Sequence, residues 1–342
     1  MNIWRRCVFF MASAICLGGL AGTPRPASAT EKIIVHIYPG SLISLYAHLG
    51  KDLGFYKKEG LSAELLPLNS GPEANAALAG GSLNFVLNTS DNLILAKSRG
   101  MDVVAVVGNQ VRNFYSFVGQ QYIKKPGQGM QGMAEALKGK RIGVNAIGTN
   151  GDRFIRATMK AAGLGPDDSM LVPVGGPPSA LAAFTAKSID VAFMWEPFQT
   201  ITSMTGAGKI LLDCRIENQC PAQLEKPGLA FQTYYTSRKF LNEHPNAVAG
   251  FVRAHQKINA WVRDPKNRNE LLAEVKKLLP PPAALNLDAD KYARQVVDAS
   301  LPAFGITISR EGMKAWNEQL LAAGLIPRAV DINQIIWDKA PQ

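Results

Sequence analysis

Histidine and cysteine are scarce, with four of each in 342 residues. The histidines are scattered, with no H-E-x-x-H and no pair at metal-ligand spacing, so no metal centre is indicated. G-x-S-x-G, G-x-G-x-x-G and P-loop spacings are absent, which removes the usual hydrolase and nucleotide fingerprints. Charged residues are only 19% of the chain, and the Lys and Arg behind its net +10 are dispersed, without a basic patch laced with aromatics. That spread argues against nucleic acid as a partner. The 47% hydrophobic share is ordinary for a globular chain and excludes disordered and disulfide-dense scaffolds. The length fits about two domains.

What is present begins with a leader. Met1-Asn2-Ile3-Trp4-Arg5-Arg6 is basic, Cys7 to Leu20 is apolar, and Ala27-Ser28-Ala29 is a small-residue site. This order reads as a secretory signal peptide over residues 1–29, cleaved after Ala29. The apolar run, about 14 residues, is short of the roughly 20 that span a bilayer. Arg5-Arg6 leaves the twin-arginine and general export routes both open. Removal of Arg5, Arg6 and Arg25 lowers the net charge from +10 to +7. Cys7 and Cys16 also leave, so Cys214 and Cys220 remain. In an oxidising compartment they are expected to form a disulfide pinning a short loop, worth about 2 kcal/mol.

The mature chain alternates strands and helices. Ile33 to Ile37 is a buried strand, Leu42 to Leu53 a helix, Ser62 to Leu68 a strand, Pro72 to Ala79 a helix and Asn84 to Asn88 a strand. Ser90 to Ser98 reads as a helix and Val103 to Val107 as a strand. The scheme repeats from Arg141 to Leu212, as expected for β-α-β units on mostly parallel sheets. Residues 66–87 align without gaps on residues 172–193, an offset of 106, with Pro67/Pro173 and Pro72/Pro178 in register. Leu229 to Tyr235 reads as a strand, Pro245 to Arg263 as a long helix, and two or three more helices follow, around Asn269–Leu279, Asp288–Ser300 and Arg310–Ala323. The fold class is therefore α/β, with two similar lobes. The expected division is residues 30–115 plus 232–342 for the first lobe and 116–231 for the second. The chain crosses between them near Asn113–Gly119 and Leu229–Thr236.

In such sheets ligands bind beyond the carboxyl ends of the strands, where helix amino ends offer free N–H groups. The strand-to-helix turns supply Tyr38, Ser41, Ser70, Gly71, Thr89, Ser90, Asp91, Thr149, Asn150, Gly151, Gly176, Trp195 and Glu196 as candidate ligand-binding residues, and the first crossing adds Tyr115. Plain helix capping is the competing use of each. Ser70, Thr89, Thr149 and Asn150 would hydrogen-bond a polar head and Trp195 would cover its body. Glu196 or Asp91 would accept from an amine. Gly148-Thr149-Asn150-Gly151 could cradle an oxyanion, and the +7 charge would draw small anions toward these amino ends. His36, mid-strand, and His255, on an apolar helix face, read as core residues.

Several segments in order resemble a known group: Leu53-Gly54-Phe55-Tyr56-Lys57-Lys58-Glu59-Gly60-Leu61, Ala77-Leu78-Ala79-Gly80-Gly81, Leu137-Lys138-Gly139-Lys140-Arg141-Ile142-Gly143-Val144, Trp195-Glu196-Pro197 and Phe251-Val252-Arg253-Ala254. Together they resemble periplasmic solute-binding proteins of the nitrate/sulfonate/taurine and thiamine-precursor type, over nearly all of residues 31–270. The resemblance implies a two-lobed periplasmic binding protein-like type II fold with two crossing strands. It also implies a monomer without cofactor or metal that traps a small-molecule ligand and delivers it to an inner-membrane ABC permease and its ATPase. A sulfonate or taurine-like solute, an aromatic acid and a pyrimidine precursor are the expected ligand classes. Thr89-Ser90-Asp91-Asn92 departs from the Gly/Ser-rich turn of the sulfonate members, and its acid argues against a bare oxyanion such as nitrate. Two alternatives stay open: a desulfinase-like or pyrimidine-synthase-like enzyme in the same cleft, and a receptor for a sensor.

Overall fold

The repeat at an offset of 106 residues is a repeat of structure. In the computed structural model, which describes residues 30–127, 129–216 and 226–342, helix α3 (Gly71–Ala79) and helix α7 (Pro177–Thr185) stand 106 positions apart at both ends. Pro67 ends the strand before α3 and Pro173 the strand before α7. Both helices have proline in their first turn, where the missing N–H costs nothing. Each then turns through a positive-φ residue, Gly81 and its counterpart Lys187.

Strands β1 (Glu31–Ile37), β2 (Leu61–Pro67), β3 (Val86–Thr89) and β4 (Val103–Gln110) belong to the first lobe; β5 (Ser116–Gln120), β6 (Arg141–Val144), β7 (Met170–Pro173), β8 (Val191–Met194) and β9 (Gly208–Asp213) form the second; β10 (Gln232–Ser237) returns to the first. The second-lobe sheet runs β7-β6-β8-β5-β9. In the first lobe β2 pairs with β1 and β3-β10-β4 form a sheet, joined by the parallel Val35–Phe85 bridge. The spatial order is thus the same in both lobes, with a crossing strand fourth: β5 in one, β10 in the other. β1–β2, β6–β7 and β6–β8 are parallel. β5 and β10 run antiparallel to both neighbours, so each sheet is mixed, its parallel half built by β-α-β units and its other half by a crossing strand.

β10 begins three residues later than Leu229. The amides of Leu229 and Ala230 bond back to Lys226 and Pro227 carbonyls at 3.2 and 3.1 Å, which curls these residues into a turn. Strand β5 falls at the crossing expected near Asn113–Gly119, and the helices α5 (Gly129–Leu137) and α8 (Phe198–Met204) are additions to the sequence reading. α1 (Leu45–Asp52), α2 (Phe55–Lys58), α4 (Ser90–Ser98) and α6 (Asn150–Ala161) complete the helices up to β9 among the described residues. After β10, α9 (Arg238–Glu243), α10 (Pro245–Arg263), α11 (Arg268–Leu278), α12 (Ala289–Ser300), α13 (Arg310–Ala322) and α14 (Ile332–Ile335) follow. This helical tail packs on the first lobe: α10 lies on α1 and α2, α13 on α4 and α14 on β4, while α12 also touches α8 of the second lobe. No described helix is long and apolar enough to cross a membrane.

His36 and His255 sit in this core. Both are fully buried. The His36 ring nitrogens meet the carbonyls of Leu87 at 2.9 Å and Leu68 at 3.3 Å, and His255 Nδ1 meets the Phe251 carbonyl at 2.9 Å. Burial holds both pKa values down to about 4, against these carbonyl contacts, so both imidazoles are neutral at pH 7.

Candidate functional site

At the carboxyl ends of the strands, between the lobes, lies a cavity of about 10 Å³, the space of a single water. Its walls are aromatic: Tyr38 from the first lobe, Tyr115 from the crossing and Trp195 from the second lobe. Trp195 meets Tyr115 edge-on at 5.4 Å between ring centroids and Tyr38 at 6.3 Å. Such tilted contacts suit ring quadrupoles and make stiff walls. Its polar lining is neutral, with the amides Asn88, Asn92, Asn145, Asn150 and Gln232 and the hydroxyls Thr89 and Thr149. Gly71 and Ile43 fill the remainder. A methyl on Gly71 would lie 2.4 Å from Asn88 Nδ2, so a larger residue there cannot coexist with the Asn88 amide in its present place.

The lining is hydrogen-bonded into each lobe. Asn88 Nδ2 donates to the Tyr235 hydroxyl at 3.2 Å, and Asn88 Oδ1 accepts from the Tyr38 hydroxyl at 3.4 Å and Asn92 Nδ2 at 3.1 Å. Asn92 Nδ2 also donates to Thr89 Oγ1 at 2.9 Å. Three contacts close the lobes over the cavity. Trp195 Nε1 donates to Ser41 Oγ at 2.5 Å, Asn145 Nδ2 to the Asn69 carbonyl at 3.0 Å, and Asn150 Nδ2 to Asp91 Oδ2 at 3.0 Å. Arg153 of the second lobe adds an ion pair to Asp91 of the first. Gly40, at φ +59°, lets the backbone pass against Pro178 of the second lobe; a methyl there would stand 2.7 Å from Pro178 Cγ.

A second ionic group backs the Trp195 wall. Glu196 is buried and pairs with Arg215, which also donates to Asp213 at 2.7 Å. Burial pushes the Glu196 carboxyl above its ordinary value although Arg215 pulls it down. At Asp213 burial pushes the same way, but the Arg215 contacts outweigh it and the carboxyl lies below its ordinary value. Among the described residues no group of three or more His, Cys, Asp or Glu could hold a metal ion. Among the described residues the cavity lining carries no thiol, imidazole or carboxylate.

The NMT1/THI5 like family model matches residues 44–267. The chain belongs to the NMT1/THI5 like family. Among curated proteins it is 27% identical to the taurine-binding periplasmic protein of Escherichia coli (strain K12) over 64% of this chain and 66% of that protein. It is 26% identical to a putative aliphatic sulfonates-binding protein of Bacillus subtilis (strain 168) over 70% of this chain and 68% of that protein. Putative binding proteins of Brucella reach 33% identity, but over 44% of this chain, and the chain spans 43% of their length. A Bordetella bronchiseptica RB50 structure superposes with a TM-score of 0.75 at 19% identity, over 90% of this chain and 95% of that chain. The alkanesulfonate-binding protein SsuA from Xanthomonas axonopodis pv. citri, bound to MOPS, gives 0.70 at 16% identity, over 91% and 99%. These likenesses establish the two-lobed periplasmic binding protein-like fold.

In this NMT1/THI5-like chain seven of the sequence-derived candidates line the cavity: Tyr38, Gly71, Thr89, Tyr115, Thr149, Asn150 and Trp195. Ser41 stands behind them, holding the Trp195 indole. Ser70 caps α3, accepting from the Glu73 amide at 3.3 Å, and lies outside the cavity lining. Ser90, Gly151 and Gly176 also lie outside it. The Ser90 hydroxyl is buried without a hydrogen-bond partner, and the Gly176 backbone caps α7. Asp91 and Glu196 are engaged by Arg153 and Arg215 rather than open to a ligand amine. Cys214 is buried after β9; Cys220 and the leader through Ala29 lie outside the described residues. Sequence reasoning passed over Ile43, Asn88, Asn92, Asn145 and Gln232 as site residues. Asn88 and Asn145 at strand ends and Asn92 three residues after Thr89 share one signal, the strand-to-helix turn read on both sides. Gln232 carried none.

Proposed function

We propose that this chain is the solute-binding component of an ABC importer, working in the periplasm as a non-enzymatic monomer. One observation carries the reading: a cavity between two lobes, at the carboxyl ends of both sheets, walled by aromatics and lined by neutral hydrogen-bonding side chains. That is the composition of a site that encloses a small organic solute. Trp195, Tyr38 and Tyr115 cover its body; Thr89, Thr149, Asn150 and the neighbouring amides bond its polar groups. Admission requires the lobes to part, because the closed cavity holds about 10 Å³. Closure then turns on the two crossings, a hinge of the kind that moves whole lobes. The periplasmic taurine and sulfonate names among relatives support the setting, and a sulfonate or taurine-like solute, an aromatic acid or a pyrimidine precursor is the ligand class. The neutral amides and hydroxyls that the described residues bring to the lining support binding by hydrogen bonds.

In the same reading the chain is exported by residues 1–29 and cleaved after Ala29. The lobes divide as residues 30–115 plus 232–342 and 116–231, Cys214 pairs with Cys220, and an inner-membrane permease with its ATPase receives the solute. The test is a melting-temperature screen of mature protein against sulfonates, taurine, aromatic acids and pyrimidines, with mass spectrometry of any solute that co-purifies. A ligand present well above its Kd raises the melting temperature. A flat screen together with no co-purified solute defeats the reading.

A further inference from the structure

Three helices point their amino ends at the cleft: α3 at Gly71, α4 at Thr89 and α6 at Thr149 and Asn150, all in the cavity lining. Such ends ordinarily attract anions. Here each has an acid of the chain itself in its first turn: Glu73, Asp91 and Asp152. Each acid already accepts a backbone N–H at its own helix start. Glu73 Oε2 takes that of Asn69 at 2.9 Å, Asp91 Oδ1 that of Asn92 at 2.9 Å, and Asp152 Oδ2 that of Gly148 at 2.7 Å.

The cation beside the cavity is likewise engaged. Arg153 donates from Nε to Asp91 Oδ2 at 3.1 Å, and from Nη2 to the same oxygen and to Asn92 Oδ1 at 3.1 Å. Its Nη1 donates to the Gly148 carbonyl. Four of five guanidinium N–H groups are therefore used. The side chains are 1% exposed for Asp91 and 16% for Arg153. Burial works to raise the Asp91 carboxyl, but Arg153 and the Asn150 and Thr89 hydrogen bonds outweigh it, so it lies below its ordinary value and stays ionised. Asn92 and Asn150, each bonded to a member of this pair, both line the cavity.

We infer that Asp91 is a specificity-determining residue: by neutralising Arg153 and the α4 amino end it denies the cleft to net anions, so that the site takes uncharged or zwitterionic solutes. The inference rests on the solute-binding reading and narrows it. It favours a zwitterionic aminosulfonate or a neutral heterocycle over a simple alkanesulfonate or an aromatic acid. It also revises the expectation that helix amino ends draw small anions into this cleft. Because Asp91 and Arg153 come from different lobes, the discrimination acts when the lobes close. Repelling the wrong ligand in this way is specificity by exclusion rather than by added contacts.

The test is calorimetric titration of mature protein with ethanesulfonate at low ionic strength. Wild type is expected to bind no tighter than millimolar. Asp91→Asn frees the guanidinium and should bind at least tenfold tighter, and Asp91→Asn/Arg153→Met should lose that gain. Asp91→Ser, which keeps a good residue for a helix start, serves if the Asn variant does not fold. Micromolar binding of ethanesulfonate by wild type overturns the inference while leaving solute binding intact. So does a folded Asp91 variant, checked by its melting curve, that shows no gain. A flat wild-type screen against every solute class defeats solute binding itself and is read separately from the variant comparison.

Discussion

Arg215→Met should be among the most damaging single changes near the cleft. Arg215 bridges Glu196 and Asp213, and the three side chains are 10, 3 and 9% exposed. Methionine keeps much of the stem volume but leaves two carboxylates facing each other without a cation. Removing one partner of a buried pair costs about 3–5 kcal/mol, which for a chain of this size is a fall in Tm of roughly 5–8 °C. The loss should depend on pH. Without Arg215 burial raises both carboxyl pKa values in the folded state above their unfolded values. The folded variant then binds more protons than the unfolded chain, and its stability declines as pH rises through the carboxyl range. Urea unfolding at pH 5 and pH 7 should show the gap to wild type widening at pH 7. Adding Glu196→Gln should recover part of the loss. A deficit under about 1 kcal/mol at pH 7, or one as large at pH 5, would refute the argument that these are buried charges held by Arg215.

Three further outcomes are expected. Gly40→Ala places a methyl 2.7 Å from Pro178 Cγ at a positive φ; the backbone strain of roughly 1 kcal/mol weakens both states, but the clash penalises only the closed one. Small-angle scattering of mature protein should therefore give a larger radius of gyration than wild type, and an unchanged profile would count against lobe closure at this contact. His36 and His255, held down to about 4 by burial, bind protons first in the unfolded chain, whose value is about 6.5. Stability is then full above that value and lost as pH falls toward 4. His36→Gln/His255→Phe should flatten the drop in urea midpoint between pH 7 and pH 4.5, and parallel drops in both proteins would place the acid sensitivity elsewhere. Unfolding without reductant should expose no free thiol in the mature protein if Cys214 and Cys220 are paired; two reacting thiols would disprove the pairing.

Local signals were legible in the sequence where an element is self-contained. Pro245–Arg263 follows from its apolar spacing and its proline start. Both copies of the α3 and α7 unit follow from the two prolines in register. The crossing at β5 is expected near Asn113–Gly119, but its bounds carry no local pattern, because Ser116–Gln120 is short, holds a glycine and pairs on both sides with β8 and β9. In the site, turn chemistry pointed to Thr89, Thr149 and Trp195. The engagement of Asp91 depends on Arg153, 62 residues away, and no local pattern carries a pairing of that range. Asp91 and Glu196 therefore read as acids that either cap a helix start or meet a ligand amine, although the fold closes both with arginines from outside their own turns.

The place of β10 between β3 and β4 sets an order of assembly for a chain threaded out amino end first. All five strands of the β7-β6-β8-β5-β9 sheet have emerged by residue 213, so that sheet can form while the other cannot. Until residues 232–237 arrive, β3 and β4 each present an edge with unpaired amides and carbonyls to their surroundings, the kind of edge other chains join. The lobe that begins first is thus completed last, and the interval between residues 110 and 232 is when the nascent protein most needs protection from its neighbours.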